Sequence, residues 1–304
     1  MRLHRSLLFV PGHRARTWGP KAAASGTDAL IFDLEDSVPL DSKAEARDAV
    51  AETVASLRAE VPGIGLYIRL NSLDSHLTGE DLAVVTVAGL DGFVLPMLFG
   101  RDDIVRFDAL VTDAEWRAGL PLGGLEFIPA LETAQSYAAC EALITGSPRV
   151  ATLFAGTARD ADVARSVGFQ FTPEGLETLY LRSKALLAVR AANLPFPLIG
   201  LWQDIHDLDG CRQFAIDNRR LGFRGQVLIH PSHAPVVNEV YTPSQEEVDF
   251  YQGMIDAFEE AEKAGIAALD YAGQHVDYAH IKTAREVIEQ SRSLAARSDG
   301  AKVS

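Results

Sequence analysis

Short apolar, β-branched runs alternate with helix-like stretches along this chain, and that alternation restricts the fold more than any other feature of the sequence. The runs are SLLFV (6–10), ALIFDL (29–34), GLYIRL (65–70), GFVLPM (92–97), LEFIPAL (125–131), VATLFAG (150–156), FPLIGLW (196–202) and GQVLIHP (225–231). Each is nearly continuous in apolar residues, as a parallel strand buried on both faces must be. Between them lie stretches such as SKAEARDAVAETVASLRAE (42–60) and PEGLETLYLRSKALLAVRAAN (173–193). In the second, Leu176, Leu179, Tyr180, Ser183 and Leu187 recur at helical spacing, and Pro173 suits a first turn. Eight β–α units within about 235 residues predict a (β/α)8 TIM barrel. The competing architecture is a doubly wound open sheet with a second domain, which needs a glycine-rich turn after its first strand. Here the first run ends in Pro11-Gly12-His13, and the barrel is the better reading.

Residues 236–304 differ in character, so the expected division is a barrel over 1–235 and a helical extension over 236–304 without strands of its own. TPSQEEVDFYQGMIDAFEEAEKAG (242–265) reads as a helix that opens with a Ser244–Glu247 capping box and ends at Gly265. A last helix is expected near 278–296, and the closing SDGAKVS reads as a frayed end. With 28 Lys and Arg against 42 Asp and Glu, the formal charge is −14. Such a chain repels nucleic-acid phosphates and anionic lipid, so a small molecule is the expected partner. Cys140 and Cys211 are the only cysteines; they form no metal-ligand spacing and suit a reducing compartment. The first apolar run is too short for a signal-peptide core, and no run reaches the roughly 20 residues of a membrane helix, so a soluble cytoplasmic protein is expected.

Catalytic groups of a barrel gather at the carboxyl ends of its strands. There the sequence places Arg14 and Arg16 after the first run, Asp33, Glu35 and Asp36 after the second, and Arg69 and Asn71 after the third. Glu132 follows the fifth, Asp160 and Asp162 the sixth, Gln203 and Asp204 the seventh, and His230 the eighth. Taken singly, Asp33 or Asp36 reads as a helix cap or a loop charge; the set as a whole reads as a reactive rim. Glu132 and Asp162 are the most specific pair. Glu132 closes the apolar FIPAL segment, where a carboxylate without a partner is costly, and Glu is a poor helix cap. Two carboxylates without a Cys or His cluster describe a hard-cation site of the Mg²⁺ kind. Arg69 offers a cationic fork for a carboxylate or enolate oxygen, with a structural ion pair to Glu35 or Asp36 as the alternative.

Taken together, RSLLFVPG, DALIFDLEDSV followed by Lys43 and Ala46-Arg47, YIRLN, LPM, the E-T-A of Glu132 to Ala134, and VLIHPSHAPVVNEVYTPSQEEV resemble the HpcH/HpaI aldolase and citrate lyase β-subunit family. The nearer resemblance is to the citrate-lyase-β-like branch with its malyl-CoA and citramalyl-CoA lyases, and it runs from about residue 3 to 295. It implies a (β/α)8 barrel, a homotrimer or hexamer, and Mg²⁺ (Mn²⁺ as the alternative) used to make and break C–C bonds beside a carbonyl. The family's metal-binding Glu falls on Glu132 and its metal-binding Asp on Asp162, with Asp160 as the fallback across a local insertion. Its arginine falls on Arg69, and its late acid/base Asp, which reaches into a neighbouring subunit's site, falls on Asp277. The catalytic set implied is therefore Arg69, Asp277 and Glu132, and the substrate-binding set Arg69, Arg16, Phe9, Asn71 and His230. The chain departs from the family at Met97, where the family has Lys, and in the Thr157–Asp162 insertion; its aromatic-then-basic pattern after the first strand survives as Phe9 and Arg16.

The implied activity is a Mg²⁺-dependent carbon–carbon lyase acting on a β-hydroxy acid derivative such as a citryl-, malyl- or citramalyl-CoA thioester. Two other readings compete with it. One is different enolate chemistry on the same site, such as thioester hydrolysis or a malate-synthase-like condensation. The other is an accessory homologue without turnover.

Overall fold

On the strands Ala29–Asp33 and Gly65–Arg69 the inward positions begin apolar or small and end in a charge, Asp33 and Arg69, and this places the polar site at the carboxyl end of the barrel. The computed structural model describes residues 3–300, with side chains to residue 296. Its strands are β1 (Ser6–Pro11), β2 (Ala29–Asp33), β3 (Gly65–Arg69), β4 (Gly92–Leu95), β5 (Glu126–Leu131), β6 (Phe154–Ala155), β7 (Leu198–Ile199) and β8 (Gly225–Leu228). All neighbours are parallel and β8 returns to β1, closing the (β/α)8 barrel. Leu7, Ile31, Tyr67, Ile128, Phe154 and Val227 are among the side chains that fill its interior. Their alternates, such as Leu8, Phe32, Ile68 and Phe93, face the surrounding helices and form the larger core.

Those helices are α1 (Ala15–Ala23), α2 (Lys43–Glu60), α3 (Thr78–Val85), α4 (Arg101–Ala118), α5 (Ala134–Ala138), α6 (Cys140–Ile144), α7 (Asp162–Val167), α8 (Leu179–Ala191), α9 (Leu208–Leu221) and α10 (His233–Tyr241). The helix expected over 173–193 begins only at Leu179, after a 3-10 turn at Leu176–Thr178, because Gly175 takes a left-handed φ of +63°. Pro173 therefore lies outside it. The apolar runs 150–156 and 196–202 yield only two-residue strands, β6 and β7. An apolar run reports burial, and burial does not require a regular ladder.

The chain forms two compact units, Met1–Tyr241, which holds the barrel, and Thr242–Ser304. The second unit contains α11 (Gln245–Lys263), β9 (Ala268–Tyr271), β10 (Gln274–Asp277) and α12 (Tyr278–Gly300). The capping box is present: Glu247 N donates to Ser244 Oγ at 3.1 Å and Ser244 N to Glu247 Oε2 at 2.9 Å. The expectation of a strandless extension is corrected by the antiparallel β9–β10 hairpin. Its two-residue turn, Ala272 at φ +52° and Gly273 at φ +79°, is formed without the usual Asn-Gly signal, which hid it. Met254, Phe258, Val276, Ile281 and Ile288 make this unit's own small core. Of the final segment, α12 runs to Gly300, and 301–304 lie outside the described residues. Among the described residues no helix is long and apolar enough to cross a membrane.

The amino ends of the strands carry a buried charge cluster. Glu115 is fully buried; it accepts from Arg149 NH1 at 2.7 Å and NH2 at 2.6 Å, and from the amides of Gly123 and Leu125. Arg149 Nε also bonds Asp108 at 2.6 Å. Burial pushes the Glu115 carboxyl up, but Arg149 and the two amides hold it below its ordinary value. Removing one partner strands the other in a low-dielectric site. Arg149→Met is expected to cost about 3–5 kcal/mol in denaturant unfolding, and Arg149→Met with Glu115→Leu distinctly less. Equal losses for the single and the double variant would show that packing, not the stranded charge, sets the cost.

Candidate active site

The next inward position after Ala29 and Ile31 is Asp33, and the one after Tyr67 is Arg69. The β2–β3 register sets the two residues directly opposite each other. Arg69 donates from Nε to Asp33 Oδ1 at 2.7 Å and from NH2 to Oδ2 at 2.8 Å. Asp33 also accepts from Glu35 N and Ser37 N, both at 3.0 Å, and from the Ser37 hydroxyl at 2.5 Å. The remaining Arg69 nitrogen, NH1, lies 3.0 Å from Glu35 Oε2 and 3.6 Å from Asp36 Oδ2. The guanidinium rests over the Phe9 ring, 5.0 Å from its centroid. The bidentate fork expected to face substrate is thus occupied by Asp33, and NH1 is the face turned to the other carboxylates.

A cavity of about 630 Å³ opens at this mouth. Its apolar walls include Leu8, Val10, Phe154, Leu201 and Ile229, and its polar lining includes Asp33, Asp36, Arg69, Glu132, Asp162 and His230. Trp18 and Lys21 of α1 border it as well. Glu132 follows β5 directly, and its Oε1 accepts from Met97 N at 2.7 Å. Met97 holds that amide in place with a left-handed φ of +48°, unusual for a side chain of its size. Asp162 opens α7 and accepts from Arg165 through Oδ1. Asp160 has a left-handed φ of +57°, its side chain is 94% exposed, and it does not line the cavity.

The other residues singled out in the sequence fall in different places. Phe9 and His230 line the cavity, and His230 Nδ1 lies 2.7 Å from Ser232 Oγ. Arg16 pairs with Glu52 of α2 at 2.7 Å and is not among the lining residues. Asn71 is buried and does not line the cavity; it is bonded to Asp81 through N at 2.8 Å and Nδ2 at 2.7 Å, and accepts from Lys43 at 2.7 Å. Asp277 belongs to the second unit, where its Oδ1 accepts from Ala279 N at 2.9 Å and lies 2.8 Å from His280 Nδ1. Sequence reading missed the weight of Asp33, taken there as a cap or loop charge. Its inward parity on β2 was the available signal.

Burial raises the Glu35 carboxyl to about 9; Arg69 opposes this, and Glu132, Asp36 and Asp33 add to it. Burial likewise raises Glu132 to about 6, against Arg69 and the Met97 amide and with Asp162. Asp33 goes the other way: burial raises it, but Arg69 and its hydrogen bonds override this and hold it at about 2. The mouth is therefore acid-rich, with Glu132 and Asp162 repelling each other across it. Among the described residues no three His, Cys, Asp or Glu side chains converge as a metal cluster. A divalent cation that takes two carboxylates and completes its shell with water and substrate oxygens fits this donor set, since it relieves the repulsion.

Residues 5–231 match the HpcH/HpaI aldolase/citrate lyase family. A (3S)-malyl-CoA thioesterase of Cereibacter sphaeroides is 32% identical over 96% of this chain and 96% of its own. An L-malyl-CoA/beta-methylmalyl-CoA lyase of the same species is 32% identical over 97% of this chain and 96% of its own. The crystal structure of CitE from Mycobacterium tuberculosis, in complex with magnesium and pyruvate, superposes with a TM-score of 0.64 at 25% identity, covering 80% of this chain and 92% of that one.

The acid-rich mouth makes stability depend on pH. Glu35, raised from its ordinary 4.5 to about 9, carries a proton in the fold that the unfolded chain releases. Its contribution is complete below its unfolded value and is lost as pH rises towards 9. Asp33 contributes in the opposite sense, and its contribution is lost as pH falls from 3.8 through about 2. In metal-free buffer Glu35→Gln is expected to lose less stability than the parent between about pH 5 and about pH 9 in denaturant titrations. Parallel losses in the two proteins would show that Glu35 is ionised in the fold.

Proposed function

The chain belongs to the HpcH/HpaI aldolase/citrate lyase family, and from that premise we propose a Mg²⁺-dependent carbon–carbon lyase that cleaves a β-hydroxyacyl-CoA thioester. The observation that carries this reading is the juxtaposition of Glu132, Asp162 and Arg69 around one largely apolar cavity at the barrel mouth. Glu132 and Asp162 would hold the cation. Mg²⁺ would polarise the keto-acid half of the substrate and offset developing negative charge. Arg69, its fork held by Asp33, lines the cavity as a fixed cation for the oxygen on which that charge grows. Cleavage removes the proton of the β-hydroxyl, passes the C–C bonding pair into the thioester enolate, and returns a proton to that carbon. The apolar walls keep water from the enolate. His230 and Phe9, which line the cavity, would flank the substrate.

The proton transfer is assigned to Asp277. Residues 236–304 act in this reading as an arm that reaches the site of a neighbouring subunit in a homotrimer or hexamer. The His280 contact and the Ala279 amide hold the Asp277 carboxyl below its ordinary value, which keeps it ionised and free of a proton of its own. The buried free thiols of Cys140 and Cys211 suit a reducing cytoplasm. Thioester hydrolysis is the second reading, favoured by the similarity to the malyl-CoA thioesterase.

Incubation with Mg²⁺ and malyl-, citramalyl- or citryl-CoA, with products identified by mass, separates the two. A lyase releases a shortened acyl-CoA and a keto acid or aldehyde acid. A hydrolase releases free CoA and the intact hydroxy acid. Cleavage of none of them refutes both. Asp162→Asn is expected to weaken Mg²⁺ binding in calorimetry about tenfold or more, and Asp160→Asn to leave it nearly unchanged; the reverse order would move the ligand to Asp160. Glu132→Gln and Asp277→Ala should each be inactive alone. After subunit exchange the mixture should regain part of the activity, because some sites then combine an intact barrel with an intact arm. No recovery despite verified exchange would place Asp277 outside a shared site.

A further inference from the structure

Lys43 lies outside the cavity lining, yet its ammonium is fully engaged. It donates to Leu34 O at 2.5 Å, Glu35 O at 2.7 Å and Asn71 Oδ1 at 2.7 Å. A lysine ammonium has three donors and no acceptor, so these bonds use all of it. The acceptors bracket Arg69 on both sides. Leu34 gives its own amide to Arg69 O at 3.0 Å and follows Asp33, which holds the Arg69 side chain. Asn71 stands two residues beyond Arg69 and is fixed in turn by buried Asp81, which accepts from Arg47 Nε at 2.8 Å. The chain Arg47–Asp81–Asn71–Lys43–Leu34 therefore ties α2, α3 and the carboxyl ends of β2 and β3 into one unit. We propose that Lys43 is a positioning residue for Arg69: by clamping the 34–35 backbone to Asn71, it sets the direction in which the Arg69–Asp33 pair faces the cavity. This rests on the lyase reading given above.

The opposite end of the same strands supplies a control. Arg58 of α2 clasps Gly89 O at 2.8 Å, Pro62 O at 2.8 Å, Ile64 O at 3.0 Å and Asp91 Oδ2 at 2.6 Å, before β3 and β4 begin. It makes the same kind of clamp at the barrel end away from the cavity. Lys43→Met and Arg58→Met should therefore both lower the melting temperature. Only Lys43→Met should lower kcat, on the order of 10²-fold at a temperature where both are folded, the scale of a 1 Å misplacement. KM should stay within about threefold. The Mg²⁺ affinity by calorimetry should not change, since Glu132 and Asp162 follow other strands. Lys43→Cys alkylated with bromoethylamine restores an ammonium, and kcat should recover with it. Cys140 and Cys211 are buried, with burial pushing their thiols up to about 11 and about 12, so they escape the reagent. If Lys43→Met does not fold, Asn71→Ala, which leaves the Lys43 bonds to the 34–35 backbone in place and removes its β3 anchor together with the Asn71–Asp81 side-chain bond, must show the same selective kcat loss. An unchanged kcat in Lys43→Met, or kcat and Mg²⁺ affinity falling together with stability in both clamp variants, overturns the positioning role. A parent enzyme inactive on every thioester overturns the lyase reading itself, and this inference with it.

Discussion

A guanidinium buried inside a barrel needs an acceptor set that the barrel itself supplies, and the Arg69–Asp33 pair meets that requirement. Both side chains project inward from adjacent strands in register, so the pair is a cross-strand contact within the sheet. Alone, either charge would be expensive at this depth. Together, with two backbone amides and the Ser37 hydroxyl on Asp33, they form a fixed dipolar plug under the cavity. The surrounding carboxylates then titrate around a charge that does not move. Asp33 is held ionised, while Glu35 and Glu132 are pushed upwards by burial and by their neighbours.

Access to this plug depends on backbone packed against backbone. A Cβ on Gly12 would stand 2.6 Å from Asp33 O, and one on Gly156 would stand 2.7 Å from Leu131 O. The segments that carry Asp33 and Glu132 are therefore approached by glycines that leave no room for a side chain. Met97 makes the opposite use of an unusual backbone: a left-handed residue directs its amide at Glu132. What this position contributes to Glu132 is a main-chain donor, indifferent to the side chain that carries it.

The two ends of the barrel divide the work. Ion pairs at the amino ends, Arg149 with Glu115 and Asp108 and Arg58 with Asp91, are completed by backbone partners and do not line the cavity. Carboxylates at the carboxyl ends outnumber the cations and lie against an open cavity. The first arrangement is stable without a ligand. The second is balanced by a cation, which is why a divalent ion belongs at that end and not at the other.

Local pattern was enough to read the barrel, because a strand buried on both faces must be apolar throughout and the eight such runs are separated by helical periodicity. It was also enough to mark Glu132, a carboxylate that closes an apolar strand, and the Ser244–Glu247 cap, whose partners are three residues apart. The hairpin at Ala272-Gly273 escaped because its turn residues carry weak local preference. Pairings across long sequence separations were not legible. Arg69 meets Asp33 across 36 residues because of strand register, Arg16 turns to Glu52 because α1 packs beside α2, and Asn71 is claimed by Asp81 and Lys43. Asp162 lines the cavity and Asp160 does not, a difference set by the path of the loop before α7, where Asp160 takes a left-handed φ. Sequence encodes which residues must be buried and with what period. Only the closed sheet decides which buried charges face one another, because that depends on register and crossing elements that no local window contains.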